Sequence, residues 1–253
     1  MKRSRINGYL KEARAFFEEQ NFALPPWADW SLEDWRNTDK DCRAIFEGGL
    51  GWDLTDFGSE DYERRGLMLI TLRNGNPREA QKIYAEKIMV VGENQETPQH
   101  FHWDKTEDII NRGGGNLVLE LWNSDAEEEL LDTPVEVMVD GIPRRVAAGE
   151  PLVLPPGESI TLTTGLYHRF YGEKGKGRVL TGEVSKTNDD NTDNRFYDAP
   201  GRFPAIEEDE EPWRLLVSDY EVFLGDGRSS GTSAGSGDGP GDTRSGEQEA
   251  GDE

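Results

Sequence analysis

The run Gln99-His100-Phe101-His102-Trp103-Asp104-Lys105-Thr106-Glu107, followed after five residues by Gly113-Gly114-Gly115, concentrates chemistry found nowhere else in the chain. Only three histidines occur in 253 residues, and two of them stand here, one residue apart. In an extended segment alternate side chains share a face, so His100 and His102 point together while Phe101 points away. Glu107 is near enough to fold back as an anionic oxygen ligand. The third histidine, His168, lies some 65 residues on, at the end of another strand-like run. A lone histidine is commonly an ordinary core or surface residue, but here every histidine of the chain falls into one metal-like spacing. Three neutral nitrogens and one carboxylate suit a divalent transition ion such as Mn2+, Fe2+, Co2+, Ni2+ or Zn2+.

Composition narrows the setting. A chain of 253 residues with seven Trp, seven Tyr and ten Phe can bury a substantial core, as one large β domain with additions or as two small domains. Residues 1–20 lack the apolar core of a signal peptide, and no apolar run of 18 residues occurs, so a soluble, cytoplasmic protein is expected. The single cysteine, Cys42, fits a reducing compartment and reads as a packing residue. A net charge of -23 argues against nucleic acid and anionic membranes as partners, because both reward Lys and Arg. It also disfavours phosphorylated ligands.

Along the chain, Ile6, Leu10, Ala13 and Phe17 recur at helical intervals, which predicts an amphipathic helix over residues 4–20. Pro25-Pro26 ends it. Ser31-Leu32-Glu33-Asp34 has the form of a capping box and starts a second, short helix; a third runs over residues 41–46 and stops at Gly48-Gly49. Beyond residue 60 the period turns to alternating or continuous apolar runs, predicting strands at 67–72, 82–91, 100–103, 116–122, 135–139, 152–154, 159–163, 167–171 and 179–184. Asn74-Gly75-Asn76-Pro77 and Asp140-Gly141 read as turns, the latter as a hairpin. Strands this closely spaced leave no room for crossover helices, so an antiparallel sandwich or barrel follows. Residues 186–215 are a polar, proline-interrupted stretch of the kind that is more often functional than idle. Residues 215–224 form a last strand or short helix. The expected organisation is a helical segment over 1–58 packed on the barrel, the barrel with a C-terminal extension over 59–224, and a disordered acidic Gly/Ser-rich tail over 225–253.

The histidine-rich run also resembles the first half of the cupin pattern: His-x-His, a short spacer, Glu, and then a glycine, here Gly114. Gly149, Pro155-Pro156-Gly157 and His168 resemble the second half. The implied fold is mainly β, a cupin double-stranded β-helix barrel with the N-terminal helices outside. Within cupins, residues 97–115, Gly182-Glu183-Val184-Ser185 and Asn188-Asp189-Asp190 with Asp193-Asn194-Arg195-Phe196 are similar to the D-lyxose isomerase family of sugar ketol-isomerases. That resemblance implies a homodimeric, Mn2+-dependent enzyme. It would interconvert D-lyxose and D-xylulose, and D-mannose and D-fructose, by proton transfer through an enediol. Carried over by position, the metal ligands are His100, His102, Glu107 and His168. Lys105 and a glutamate of the segment Ile206-Glu207-Glu208-Asp209-Glu210, with Glu207 preferred, match the places of catalytic groups.

The residues add their own readings. Moving a carbonyl from C1 to C2 needs a carboxylate to carry a carbon-bound proton and a cation to hold the oxygens. Glu183 on the inward face of its strand would line the sugar cavity, so it is a further catalytic candidate. Asn194 and Arg195 would bond sugar hydroxyls or brace their loop, and Trp103 would stack on the sugar. Two rivals share the ligand set: a cupin dioxygenase using iron, and a non-catalytic sugar-binding cupin. Lys105 and the acidic segment speak against the second.

Nine Lys against 19 Arg, beside 51 acidic residues, make a surface suited to a salt-rich cytoplasm, where screening removes self-repulsion. The melting temperature of the purified protein should therefore rise between dilute buffer and molar KCl; a flat or falling curve would count against salt adaptation.

Overall fold

The helical period at the N-terminus becomes α1 (Arg3–Glu19), which buries Ile6, Leu10, Ala13 and Phe17. Burial on this scale contributes about 1.5–3 kcal/mol for each large apolar side chain. The computed structural model describes residues 1–75, 81–187, 192–199, 201 and 205–225. The expected tail beyond Gly225, half of the turn at Asn74-Gly75-Asn76-Pro77, and residues 188–191 of the polar stretch lie outside them. α2 (Leu32–Asn37) begins with the expected capping box: Ser31 Oγ accepts the Asp34 N–H at 3.1 Å, and Asp34 Oδ2 accepts the Ser31 N–H at 2.8 Å. α3 (Arg43–Glu47) follows, and α4 (Asp219–Leu224) resolves the strand-or-helix ambiguity at the far end. Cys42 is buried with Trp35, Leu215 and Tyr220, as a packing residue would be.

Fourteen strands are found among the described residues: β1 (Gly51–Thr55), β2 (Leu67–Arg73), β3 (Tyr84–Val91), β4 (His100–Phe101), β5 (Glu107–Gly114), β6 (Leu117–Ser124), β7 (Leu130–Leu131), β8 (Val135–Val139), β9 (Ile142–Val146), β10 (Leu152–Leu154), β11 (Ser159–Leu162), β12 (Tyr167–Gly172), β13 (Val179–Lys186) and β14 (Arg195–Phe196). An eight-stranded sheet runs β1-β2-β3-β13-β5-β11-β8-β9 and a six-stranded sheet contains β10-β6-β12-β4-β14. All pairings between these strands are antiparallel. The core lies between the sheets, where Met89, Ile109 and Val179 of the larger meet Leu119, Leu121 and Phe170 of the smaller. α1 covers the outer face of the larger sheet against Trp52, Met68, Ile70, Ile88 and Leu180. β2 and β3 are thus apolar on both faces, which is why they read as continuous apolar runs.

Five strands escaped the pattern: β7 and β14 are only two residues long, and the other three escaped it for identifiable reasons. β5 turns Glu107 and Asn111 inward, both buried, so its inward positions are not uniformly apolar. β9 is exposed almost throughout. β1 belongs to the stretch expected to be helical and forms the edge of the eight-stranded sheet. At the hairpin between β8 and β9, Asp140 and Gly141 both have positive φ, 50° and 77°, the combination a type I′ turn requires. Gly114 ends β5 at φ 82°, and a Cβ there would come 2.3 Å from the Arg178 carbonyl oxygen; only glycine fits this close crossing.

α1 has no side-chain cap of its own. Instead the acidic segment after the barrel supplies one: the Glu207 carbonyl accepts the Arg3 N–H at 2.8 Å and Asp209 accepts the Ser4 N–H at 2.9 Å. Negative groups at this end also suit the helix dipole. Arg3, fully buried, makes a two-pronged pair with Asp219 at 2.8 and 2.7 Å and another with Glu208 at 2.9 and 2.7 Å. Removing one member of a buried pair strands the other's charge, at a cost of about 3–5 kcal/mol. Arg3→Ala should lower the urea midpoint accordingly, and Arg3→Met combined with Asp219→Leu should recover much of the loss. A single variant as stable as wild type would contradict this account.

Candidate active site

The two sheets bring the quoted run together with β12 and β13. His100 and His168 are direct cross-strand partners of β4 and β12, and His102 follows β4 immediately. The smaller sheet therefore supplies all three imidazoles, whose donor atoms lie within 4.8 Å of one another. Glu107, the first residue of β5, faces them from the larger sheet. Its Oε1 lies 3.3 Å from His102 Nε2 and 3.2 Å from His168 Nε2.

Each ring is turned by a backbone carbonyl that accepts from its Nδ1: Pro98 for His100 at 2.8 Å, Asp193 for His102 at 2.9 Å and Leu166 for His168 at 3.0 Å. A carbonyl can only accept, so Nδ1 carries the proton and Nε2 presents a lone pair to the centre. The Nε2 atoms of His102 and His168 are buried without a hydrogen bond, and their lone pairs face the carboxylate oxygen. Such a focus is repulsive in the absence of positive charge and attractive around a cation, so the residues fit a divalent metal. Burial, with His168 and His102 close by, holds His100 well below the ordinary imidazole range. Burial pushes Glu107 up, but the Lys105 ammonium outweighs it and keeps the carboxyl well below its usual range.

Lys105 is 2 % exposed and stands between two carboxylates, 2.8 Å from Glu107 Oε2 and 3.0 Å from Glu183 Oε1. Glu183 points inward from β13, where it is the register partner of Lys87 on β3 and Ile109 on β5. Its Oε1 also receives Ser185 Oγ at 3.1 Å and lies 3.5 Å from Lys87 Nζ. A cavity of about 170 Å³ opens on this group, bordered by the three histidines, Glu107, Lys105 and Glu183, with Lys87 and Asn194 beside them.

Not every expected residue arrives there. Glu207 is exposed and sits outside the cavity, 3.8 Å from Lys2, because the acidic segment is committed to the start of α1. Its candidacy as a catalytic group is thereby corrected. Trp103 is 45 % exposed; its indole N–H donates to Glu128 Oε1 at 2.8 Å, and Arg195 Nε donates to Glu128 Oε2 at 2.6 Å. Both brace the loop between β6 and β7 rather than border the cavity, which corrects their assignment to the substrate. Asn194 does border it.

Some residues with a part in the site went unread. Asp193 is buried and holds two parts of the site at once. Its carbonyl orients His102, and its carboxylate accepts the N–H groups of Asp104 at 2.8 Å and Lys105 at 3.0 Å. It belongs to the polar run that carries part of the family resemblance, but nothing local assigns it a role. Lys87 and Ser185 sit on strands whose inward alternation could have flagged them. Phe196 lies over the His100 ring at 5.4 Å between centroids.

Comparison with known proteins agrees with this geometry. A family model described as D-lyxose isomerase matches residues 1–220. The chain is 50 % identical over 227 residues to a D-lyxose/D-mannose isomerase of Serratia proteamaculans, covering 88 % of this chain and 100 % of the relative. It is 48 % identical over 226 residues to a D-lyxose/D-mannose isomerase of Escherichia coli, with the same coverage. Among solved structures, an Acinetobacter L-ribose isomerase in complex with L-ribose aligns with a TM-score of 0.55 at 15 % identity, over 82 % of this chain and 98 % of that one. A Cellulomonas parahominis L-ribose isomerase without ligand aligns equally, at 0.55 and 15 %, with the same coverage. At such identity the likeness concerns the fold, a mainly β cupin barrel. With a family match spanning nearly the whole described chain and two relatives at about half identity, the chain belongs to the D-lyxose isomerase family and is a sugar isomerase.

Proposed function

We propose that the protein is a metal-dependent aldose-ketose isomerase acting on D-lyxose and D-xylulose, and on D-mannose and D-fructose. The observation that carries this reading is the bridge of Lys105 between Glu107 and Glu183 in one cavity with three inward-facing imidazoles. A pure sugar binder gains little from a buried ammonium shared by two carboxylates.

His100, His102, Glu107 and His168 hold the ion, Mn2+ being favoured by the family resemblance and Co2+, Fe2+, Ni2+ or Zn2+ remaining compatible with the donor set. When bound, a divalent ion supplies Lewis acidity toward the sugar's O1 and O2. Glu183 removes the proton from C2 of the open-chain aldose, giving an enediol, and returns it to C1 to leave the ketose. Lys105 gives a proton to O1 as charge develops there and is restored by the O2 hydroxyl proton as the C2 carbonyl forms. Proton count and oxidation state balance within the one sugar. Three donors converge on Glu183 Oε1, which fixes the carboxylate for this transfer. Asn194 hydrogen-bonds a hydroxyl. A homodimer and a cytoplasmic location accompany the reading, the first from the family resemblance, the second from the single cysteine. Among the described residues, no helix is long and apolar enough to cross a membrane.

Purified protein supplied with Mn2+ and D-lyxose or D-mannose should form the ketose, and in D2O the product should carry deuterium at C1 in the fraction of turnovers in which the Glu183 proton exchanges with solvent before its return. Glu183→Gln should slow turnover by about 10²–10⁴-fold, the usual worth of a positioned proton carrier. Oxygen consumption without ketose would instead favour the dioxygenase.

His102→Ala should lose bound metal and activity together while circular dichroism reports an intact barrel; an active, metal-free variant would sink the ligand assignment. Protons and metal compete for the same Nε2 lone pairs. Because His100 is held below the ordinary range, metal retention and rate should fall together only below about pH 6.5, the reference imidazole value. A rate unchanged down to about pH 4 would contradict it.

A further inference from the structure

We infer that Phe57 is a specificity-determining residue, the aromatic wall against which the far end of the sugar packs; the inference rests on the isomerase reading above. Phe57 comes from the loop between β1 and β2 and borders the same cavity as the histidines and Glu183. Its backbone has φ 52°, a left-handed conformation that a bulky residue adopts only where its surroundings impose it. The surroundings do so here. The Phe57 N–H donates to Thr55 Oγ1 at 2.9 Å, the Gly58 N–H to Asp56 Oδ1 at 2.9 Å and the Ser59 N–H to the Asp56 carbonyl at 2.9 Å. Asp56 itself is 1 % exposed, so the turn is anchored from below. The next residue, Gly58, is also left-handed and would tolerate that conformation at no steric cost. The position bordering the cavity nonetheless carries a phenyl ring.

The ring continues a row that starts at the reacting end. Phe196 lies 5.4 Å from the His100 ring, centroid to centroid, and Phe57 lies 6.3 Å from Phe196 with the two planes tilted by 60°. With C1 and C2 beside the histidines and Glu183, the remaining carbons of an open-chain sugar run along this row. Their C–H faces are apolar and pack on aromatic surfaces, while the hydroxyls turn to Asn194 and the opposite polar wall. A hexose reaches one carbon further than a pentose, so Phe57 meets the C6 end of D-mannose and only the margin of D-lyxose.

The test compares KM and kcat for D-mannose and D-lyxose in wild type, Phe57→Gly and Phe57→Leu, each supplemented with Mn2+. Glycine removes the ring and relieves the left-handed strain, so Phe57→Gly should melt within a few degrees of wild type. Its KM for D-mannose should rise about tenfold, the lower end of what one buried carbon is worth in discrimination. KM for D-lyxose should rise less, and kcat for both should hold within about twofold, as expected when binding alone is lost. Phe57→Leu should fall between, and it carries the same comparison if Phe57→Gly does not fold. An active wild type with unaltered KM for both sugars in a folded Phe57 variant overturns this inference alone, as does an equal drop in kcat on both. A wild type that converts neither sugar overturns the isomerase reading and this inference with it.

Discussion

A carboxylate oxygen held about 3 Å from two imidazole lone pairs, buried between the two sheets, is stable only where positive charge meets it. That requirement organises the rest. The three rings must come from one sheet and the carboxylate from the other, so the sheets have to close face to face. The rings must each be turned by a carbonyl, so Pro98, Leu166 and Asp193 have to stand where they do. Lys105 answers the same demand from the other side of Glu107 and passes the charge on to Glu183. The cluster of imidazoles with Glu107 and the Lys105–Glu183 pair are therefore parts of one electrostatic arrangement, and a change in either reaches both.

Much of this was legible in the residues. His-x-His on an extended segment, the amphipathic first helix, the capping box at Ser31 and the hairpin at Asp140-Gly141 are local signals, each governed by a period or a turn geometry that operates within a few residues. What failed were readings that depend on which distant surface a side chain meets. β5 was unread because two of its inward residues, Glu107 and Asn111, are polar. Glu207 looked catalytic among four acidic neighbours, and nothing local reveals that this segment caps a helix more than 200 residues earlier in the chain. Trp103 and Arg195 were taken for substrate contacts, whereas both spend their donors on Glu128. Asp193 was the reverse case, a residue inside a polar run whose backbone and side chain each hold a different part of the site.

Sugar isomerisation asks for little reactive machinery and much positioning, and the distribution of roles reflects it. The eight-stranded sheet supplies the carboxylates and Lys87, the loop leading into β5 supplies Lys105, the six-stranded sheet and the residue just after β4 supply the imidazoles, and the loop after β1 and the segment around β14 border the cavity between them. The regular elements are rigid and hold the reacting groups to fractions of an ångström. Phe57 and Asn194 lie in loops and Phe196 in the two-residue β14, and all three border the cavity.

The pairing of Arg3 with Asp219 bears on how the chain is made as well as how it is held. The two residues are 216 positions apart, and the carboxylates that cap the first helix lie in the same late segment. During synthesis the N-terminal helix emerges first, and its buried guanidinium has no counter-charge until nearly all the described chain has left the ribosome. Its apolar face must meanwhile wait for β2, β3 and β13, the last of which ends at residue 186. Contacts this remote in sequence make folding slow and late. The helix that is read first is thus among the last elements to be locked, and a truncated chain lacking residues 207–219 would leave a charged arginine and an uncapped helix facing an otherwise finished barrel.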